Sequence, residues 1–587
     1  MSWLAELRRR NVLRMAVLYV IAAWLIMQFA EVVITLAALP TWTGQTTLIL
    51  LTIGFPIALI FSWFYEITPA GLTLEKDVPL GESITFITGR RIDFIVIALL
   101  ASALVMFAYD KWWIRSEATA VTTEPNSIAV LPFVNMSDDP VQEYFSEGLA
   151  EELLNQMTRI PSLKVISRTS SFSFKGENID IVTIAERLNV RHILEGSVRI
   201  SDGNARISAT LVDARDDRTL WSQTFDRNLE DILSIQNEIA REVVDALHIT
   251  LLGDMPSARK TDPRAYAFYL QAKFVGNQMT PDNLERSIEL YRQALAIDPG
   301  YVPAWEGLAW RLTSQANSGL RPGEGYEPAR EAARQALEID PNFARAHGRL
   351  GWIALFHDGD LHAAARHYER GLALDPTDMV LLGGAATLLQ NLGRLDDAII
   401  VKRHVSDRDP VYPAGHANLG IASLYAGDLD DAASNFRSTL TLSPNYIGAR
   451  CLLGMTMLFA GNAEAALPVV EQESFEPYRL ICLGLVQHAI GNEAESASAL
   501  QKLIEAHAEG WAYNIAYIFA YRGEVDAAFE WLDKAVEYRD GGLADIVVQP
   551  FFNNLHGDHR WSAFLARLGK SPDQIAAVGF SISLPGD

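Results

Sequence analysis

The chain reads as a multi-domain protein: three N-terminal transmembrane helices, then a small α/β mixed-sheet domain, then an all-α solenoid of helical pairs. Three observations predict this. Three long apolar runs crowd the first 115 of 587 residues. Strand-like and helix-like segments then alternate as far as residue 253. Finally Pro299, Pro341, Pro376, Pro410 and Pro444, most of them closing a phrase such as ALAIDP, ALEIDP or GLALDP, are spaced by 42, 35, 34 and 34 residues. A period near 34 with apolar helical patterning between the prolines is the signature of stacked helix-turn-helix units. Such units bind partners more often than they perform chemistry.

The membrane region, residues 1–115, comes first. Met15–Leu36, Thr46–Tyr65 and Ile92–Tyr109 are each about long enough to cross a hydrocarbon core of roughly 30 Å. No small-residue cleavage site follows a short apolar core, so the first run does not read as a cleavable leader. Trp112 and Trp113 extend the third run as an interfacial belt. Arg8, Arg9, Arg10 and Arg14 precede the first run, and Lys76, Arg90 and Arg91 lie between the second and third. The positive-inside rule then sets the N-terminus and the 66–92 loop in the cytoplasm, and everything after Tyr109 on the periplasmic side of a bacterial inner membrane. Lys111 and Arg115 argue the other way but are fewer. Glu31 is a functional candidate if it lies within the bilayer; the alternative is a place at the outer interface, reached by water. Gly54 and Pro56 could hinge the second run, though both residue types are common in membrane helices.

Residues 116–126 are polar and aperiodic and read as a linker to the α/β domain, 127–253. SIAVLPF (127–133) reads as a buried strand, Glu143–Ile160 as a helix, KVISR (164–168) as a second strand and Ile181–Leu188 as a second helix. Strand candidates 192–200, 205–214 and 219–226 follow, with SDGN as a hairpin turn, and Ile232–Ile249 closes the domain as an amphipathic helix. The phrases SIAVLPFVNMSDDP, YFSEGLAEELLNQM, ISRTSSFSFKG and ILEGSVRI resemble the domain related to the amino-terminal domain of the periplasmic protein TolB. The run ELRRRNVLRMAVLYVIAAWLIMQF, with GFPIALIFSWFYEITPAGL, resembles the anchor of some proteins that carry this domain. The resemblance implies a domain set between a membrane anchor and a tetratricopeptide array. In relatives of this layout it implies a further module, a winged-helix DNA-binding domain or a nucleotide cyclase domain; it implies architecture far more than activity.

The array spans residues 264–539 and reads as eight tetratricopeptide units. Leu350-Gly351 pairs with Ala364 and Tyr368, and Leu419-Gly420 with Ala432 and Phe436. The small residues let the two helices of a unit approach, and the aromatic fills the gap to the next unit. Gly359, Gly393, Gly427 and Gly461 fall at the turns between helices, where a helix end favours a left-handed residue. SQANSGLRPGEGYEP lengthens the turn of the second unit, and the units after Pro444 lose the closing phrase and read as degenerate. The C-terminal cap and tail, 540–587, contains a capping helix expected to shield the last apolar face. Trp310, Arg311, Arg345, Arg349, Trp352 and Phe356 fall on first helices, which line the concave wall. They form a candidate groove for an extended or helical partner segment; equally, the two tryptophans pack between units.

Charge limits the partners. Residues 1–115 hold nine Lys/Arg and eight Asp/Glu, so the remainder carries 40 against 64, or −24, of the total −23. An acidic body of this kind repels phosphate backbones, so no nucleic-acid partner is expected. Cys451 and Cys482 lie in apolar helical runs and read as small core residues rather than a disulfide. There is no GxxxxGK[ST], no GxGxxG after a strand and no GxSxG. His357, His362 and His367 are spaced by five, not the four that sets metal ligands on one helical face. The EEL and DLDDAA runs read as solvated faces or helix starts, and no histidine or carboxylate adjoins the hydroxyls of SRTSSFSFKG. The sequence therefore predicts no catalytic, cofactor-binding or metal-binding residues and no enzyme. It predicts an inner-membrane-anchored scaffold whose periplasmic domains bind protein or peptide partners. The alternatives are a signalling subunit passing that binding to a cytoplasmic partner and, more weakly, an envelope enzyme.

Overall fold

The computed structural model describes residues 126–584, except 138, 161, 178, 202, 229–230, 248, 250–259, 278–279 and 318–324; before 126 it describes only scattered positions between 16 and 56 and the strands 65–68 and 71–74. Residues 1–122 and 123–587 are two compact units. In the first, the Tyr19 hydroxyl donates to the Leu51 carbonyl (2.8 Å), and its ring lies 5.5 Å from Phe55. β1 (Tyr65–Thr68) and β2 (Gly71–Leu74) form an antiparallel hairpin with Tyr65 opposite Leu74. Most of the three predicted spans, with Glu31, lies outside the described residues. Among the described residues no helix is long and apolar enough to cross a membrane.

The second unit opens with the α/β domain. Its strands are β3 (Ser127–Val130), β4 (Val134–Asn135), β5 (Lys164–Val165), β6 (His192–Ser201), β7 (Asn204–Asp213) and β8 (Arg218–Asn228). The sheet order is β5-β3-β6-β7-β8, parallel from β5 to β6 and antiparallel beyond, with β4 also pairing β6. Predicted strand 127–133 is shortened to β3, and a separate two-residue piece just beyond its predicted end, β4, pairs β6 as well. Predicted strand 164–168 is a correction: only Lys164 and Val165 pair, because the Ser167 side chain caps a short helix, α2 (Arg168–Phe172). α1 (Glu143–Thr158) and α4 (Ile232–Ala246) cover one sheet face, burying Phe145, Leu149, Leu153, Ile235 and Ile239. α3 (Ile181–Leu188) covers the other with Ile184 and Leu188. Every third or fourth residue of these helices is apolar, which is why one stripe of each is buried.

Eight helical hairpins follow among the described residues. They are α5 (Pro263–Gly276) with α6 (Pro281–Ile297), α7 (Val302–Asn317) with α8 (Tyr326–Ile339), and α9 (Ala344–Ile353) with α10 (Leu361–Leu374). Next come α11 (Met379–Asn391) with α12 (Leu395–Arg408), α13 (Pro413–Ala426) with α14 (Leu429–Leu442), and α15 (Ala449–Phe459) with α16 (Ala463–Val470). The last are α17 (Glu476–Ala489) with α18 (Glu493–His507), and α19 (Ala512–Tyr521) with α20 (Val525–Glu537). The aromatic of the third unit packs as the pattern requires. Tyr368 is buried between Gly351 of its own unit and Gly384 of the next, where an added Cβ would come within 3.1 and 2.5 Å of the ring. The prolines have a second use: six residues after Pro299 and Pro410, Trp305 and His416 place a ring nitrogen 2.8 and 2.9 Å from the proline carbonyl. These contacts satisfy acceptors that a helix end leaves open.

Two expectations about the C-terminal half are corrected. Cys451 and Cys482 form a disulfide, with Cα atoms 5.6 Å apart. They occupy matching places on α15 and α17, first helices of adjacent units, and 31 residues of separation is close to one repeat, so stacking brings them together. The segment 540–569 is also more than a cap. Only α21 (His559–Arg567) is α-helical there, while Gly541–Asp545 and Pro550–Leu555 form short 3-10 helices, tight turns of chain. These turns run back along the C-terminal ends of the first helices: Phe551 meets Phe459 at 4.6 Å, and Asp545 accepts from Gln390 at 2.9 Å. A short helix, α22 (Pro572–Ala576), leads on to Val578 and Phe580, which join the core of the third and fourth units.

A candidate partner-binding cleft

The α/β domain docks on the edge of the array marked by the prolines, and charge builds the seam. Glu143, Glu147 and Glu151 recur every four residues along α1 and so share one face. Lys175 pairs with Glu143 (2.7 Å) and Glu147 (2.6 Å), and Arg168 with Glu147 (3.3 Å) and Glu151 (2.8 Å). Lys273 of α5 then bridges from the array to Glu151 (2.8 Å) and Glu152 (2.6 Å), and the Tyr269 hydroxyl donates to Glu152 (3.0 Å). Burial alone would raise the Glu151 carboxyl, but Lys273 and Arg168 outweigh it and hold it below its ordinary range. Burial would likewise lower Lys273, and the same two carboxylates hold it above. The EEL run is therefore not a solvated face, since Glu151 and Glu152 are largely buried against this lysine.

Further along the edge, Thr377 donates to the Thr158 carbonyl at the end of α1 (3.0 Å). Ser167 and Ser170 both donate to Asp409, and Val411 packs into the small core around Ile166 and Ile184. The hydroxyl loop thus does have a carboxylate beside it; Asp409 is 242 residues away in sequence from Ser167, beyond the reach of any local pattern. Burial pushes Asp409 up despite the two serines.

Between these contacts lies a polar cleft of about 410 Å³. Asn155, Thr158 and Arg159 line one wall from the α/β domain; Glu306, Asn342 and Arg345 line the other from the array. Arg345 donates to Asp378 (2.6 Å), which also caps α11 through the amides of Val380 and Leu381. Burial works against ionised Asp378, but Arg345 and these amides lower it. Arg159 stands exposed at the margin.

The six predicted groove residues divide among three places. Arg345 belongs to the cleft. Trp310 and Arg349 meet beside it, the guanidinium 4.2 Å over the indole and 2.7 Å from Glu306. Arg311 is 5% exposed and bonds Asn277 (3.1 Å), so it holds α5 against α7 instead of facing a groove. Trp352 and Phe356 stack at 4.3 Å on the far rim, where 354–358 packs against 541–545. Part of the inner wall is therefore filled by the chain's own C-terminal segment. Lys402 and Lys570 help hold it: Lys402 donates to Gln390 (2.6 Å) and Lys570 to the Ala544 carbonyl, and burial pulls both ammonium groups down to about 8. His367 is half-buried with its Nδ1 3.2 Å from that of His347, and burial lowers it to about 4. Among the described residues no group of three or more His, Cys, Asp or Glu is placed to hold a metal.

Comparisons with known proteins bear on both domains. Residues 124–242 match the second domain of the HilA/YgeH-like transcriptional regulators, and residues 320–378 match the tetratricopeptide repeat. The chain carries tetratricopeptide repeats. Over 187 residues it is 37% identical to "Putative adenylate cyclase 3" of Rhizobium meliloti (strain 1021), covering 31% of this chain and 32% of that protein. The chain thus spans about a third of that relative's length. This match overturns the expectation of no enzyme, because missing motifs no longer set the chain apart from enzymes. Among solved structures, the human IFIT1 dimer with m7Gppp-AAAA is 14% identical with a TM-score of 0.35, covering 52% of this chain and 77% of that one. The pilF protein of Pseudomonas aeruginosa is 21% identical with a TM-score of 0.29, covering 36% and 93%.

Proposed function

We propose that the α/β domain and the array act as one receiving body of a membrane-anchored signalling protein, which binds a protein or peptide partner in the periplasm. The observation that carries this reading is the seam: buried ion pairs at Lys273 and hydroxyl–carboxylate bonds at Asp409 fasten the two domains on either side of an open polar cleft. A segment bound there touches both domains at once, so occupancy changes the strain on the α/β domain. Similarity to a domain of transcriptional regulators and to a cyclase-named protein favours signalling over passive scaffolding. The anchor reading rests on the three apolar runs, and the disulfide fits an oxidising compartment.

A photo-crosslinking amino acid at Asn342 or Arg159, in the full chain in intact cells, tests it. The expected result is one discrete crosslinked protein from both positions. Crosslinks absent from both, or a reporter after Asp587 active only in the cytoplasm, would overturn the reading.

A further inference from the structure

The edge that receives the α/β domain continues past it. Two residues beyond each ladder proline stand Tyr301, Phe343, Asp378, Tyr412 and Tyr446. The first three are engaged: Tyr301 is buried edge-on against Tyr269 (5.2 Å), Phe343 lines the cleft, and Asp378 holds Arg345. The last contact of the α/β domain on this edge is at Asp409 and Val411. From Tyr412 onward the same edge is aromatic and open. Tyr412 is 36% exposed, Phe475 37% and Ile447 56%. Tyr446 lies within electrostatic reach of both Tyr412 and Tyr478. Tyr478 meets Trp511 edge-on at 5.0 Å, and Phe475 lies 5.9 and 6.0 Å from these two rings. Tyr412, Tyr446, Tyr478 and Trp511 are 34, 32 and 33 residues apart, one per unit, so the repeat itself builds the row.

Charge says what fits there. From Pro444 to Trp511 the chain has no Asp and eight Glu. Glu464, Glu493 and Glu495 open second helices on the opposite edge, which leaves Glu471, Glu473, Glu476, Glu505 and Glu509 on the side of the joins between units, against Arg450, Arg479 and Lys502 over the whole stretch. Glu473 sits within the row and is 1% exposed. Its Oε1 accepts from the Phe475 amide (3.2 Å), while its Oε2 is buried with no hydrogen-bond partner. Arg479 is spent elsewhere: it donates to the Glu473 carbonyl (2.9 Å) and lies 3.9 Å from Glu476. Aromatic faces attract cations, and a nearby unpaired carboxylate adds to that attraction.

We infer that the row Tyr412–Tyr446–Phe475–Tyr478–Trp511 is a second docking edge, which takes an extended Lys/Arg-bearing segment of a partner protein where the α/β domain leaves off. This rests on the reading that the array binds protein partners. Side chains of the segment lay their cationic groups on the rings, and the acidic flank sets the sign of the charge it accepts.

The test uses the full chain in detergent and two labelled synthetic peptides, one repeating Lys-Pro-Ala and one repeating Glu-Pro-Ala, with binding read by fluorescence anisotropy. The basic peptide is expected to bind, more weakly at higher salt, and the acidic one not at all. Tyr412→Ala with Phe475→Ala should weaken binding at least tenfold. Ile447→Arg, at an exposed position outside the core, should do the same without altering the circular dichroism spectrum. Glu473→Gln, of the same shape, should weaken it about threefold. Equal binding of the two peptides, or no loss in Ile447→Arg, would overturn the proposal. A photo-crosslinker at Ile447 in cells separates the two readings. Capture at Asn342 but not at Ile447 sinks this edge and leaves the cleft standing, and capture at neither sinks both.

Discussion

Lys273→Met cuts the charge chain at its deepest point. The lysine is 12% exposed and lies 2.8 and 2.6 Å from carboxylates that are themselves 14% and 17% exposed. Methionine keeps most of the aliphatic stem, so packing changes little, but Glu151 is left with Arg168 and Glu152 with two uncharged donors, the Tyr269 hydroxyl and the Asn155 amide (3.4 Å). Removing one partner of a buried pair costs about 3–5 kcal/mol, because the other charge stays desolvated. The lower end, about 3 kcal/mol, corresponds to roughly a hundredfold in an opening equilibrium. Hydrogen exchange on the full chain should therefore show α1 and α5 amides losing about two decades of protection, while α17–α20 stay unchanged. The triple variant Lys273→Met, Glu151→Gln, Glu152→Gln should regain most of it, since neutral isosteres remove the stranded charges. Less than a fivefold loss in the single variant would refute the reasoning. The pH dependence follows from the directions of the shifts. Glu151 is lowered, so its contribution is present above its unfolded value near 4.3 and is lost as pH falls through the folded one. Lys273 is raised, so its contribution is complete below about 10.4 and is lost only as pH rises through a still higher folded value. The contribution of the Lys273–Glu151 pair should be flat between roughly pH 5 and 10 and fall on acidification.

Reducing Cys451–Cys482 should destabilise the sixth and seventh units by about 3.7 kcal/mol on the chain-entropy model for a 31-residue separation; alkylation in intact cells should label both cysteines only after a reductant is added. Lys402 and Lys570 are lowered to about 8, so between pH 8 and about 10.4 the docked C-terminal segment sheds protons that the released one keeps. Protease cleavage within 541–584 should accordingly slow as pH rises through that window; cleavage that quickens or holds steady would contradict the burial of these lysines. Two neighbouring glycines of α11 give a matched pair. Gly384→Ala would press a methyl within 2.5 Å of the Tyr368 ring and should cost about 1–3 kcal/mol, whereas Gly383→Ala meets nothing within 4 Å and should gain up to about 1 kcal/mol. Chemical denaturation of both variants reads the difference.

Legibility divided along contact range. The tight approach at Gly351 and Gly420, the turn glycines Gly359 and Gly427, and the sheet hairpin at SDGN were readable, because each is settled within about 40 residues by sterics and periodicity. The second strand was overcalled because Ser167 favours a helix cap over extension. The six groove candidates fall in different places. Arg345, Trp310 and Arg349 do gather, whereas Arg311 is consumed in packing and Phe356 meets the C-terminal segment, partners that no local pattern announces. Two members of the aromatic row, Tyr412 and Tyr446, share a sequence signature, the place two beyond a ladder proline.

By itself, the sequence determined the repeat and most of the strands and helices before it, since proline, glycine and apolar spacing act through the backbone over short range. Only the tertiary structure decided which surfaces of the repeat are filled and which stay open. Stacking brought Cys451 to Cys482, curvature carried Asp409 to Ser167 across 242 residues, and the returning C-terminal segment filled one rim of the groove. Each depends on how eight hairpins accumulate rotation along the array, a sum that no single unit contains.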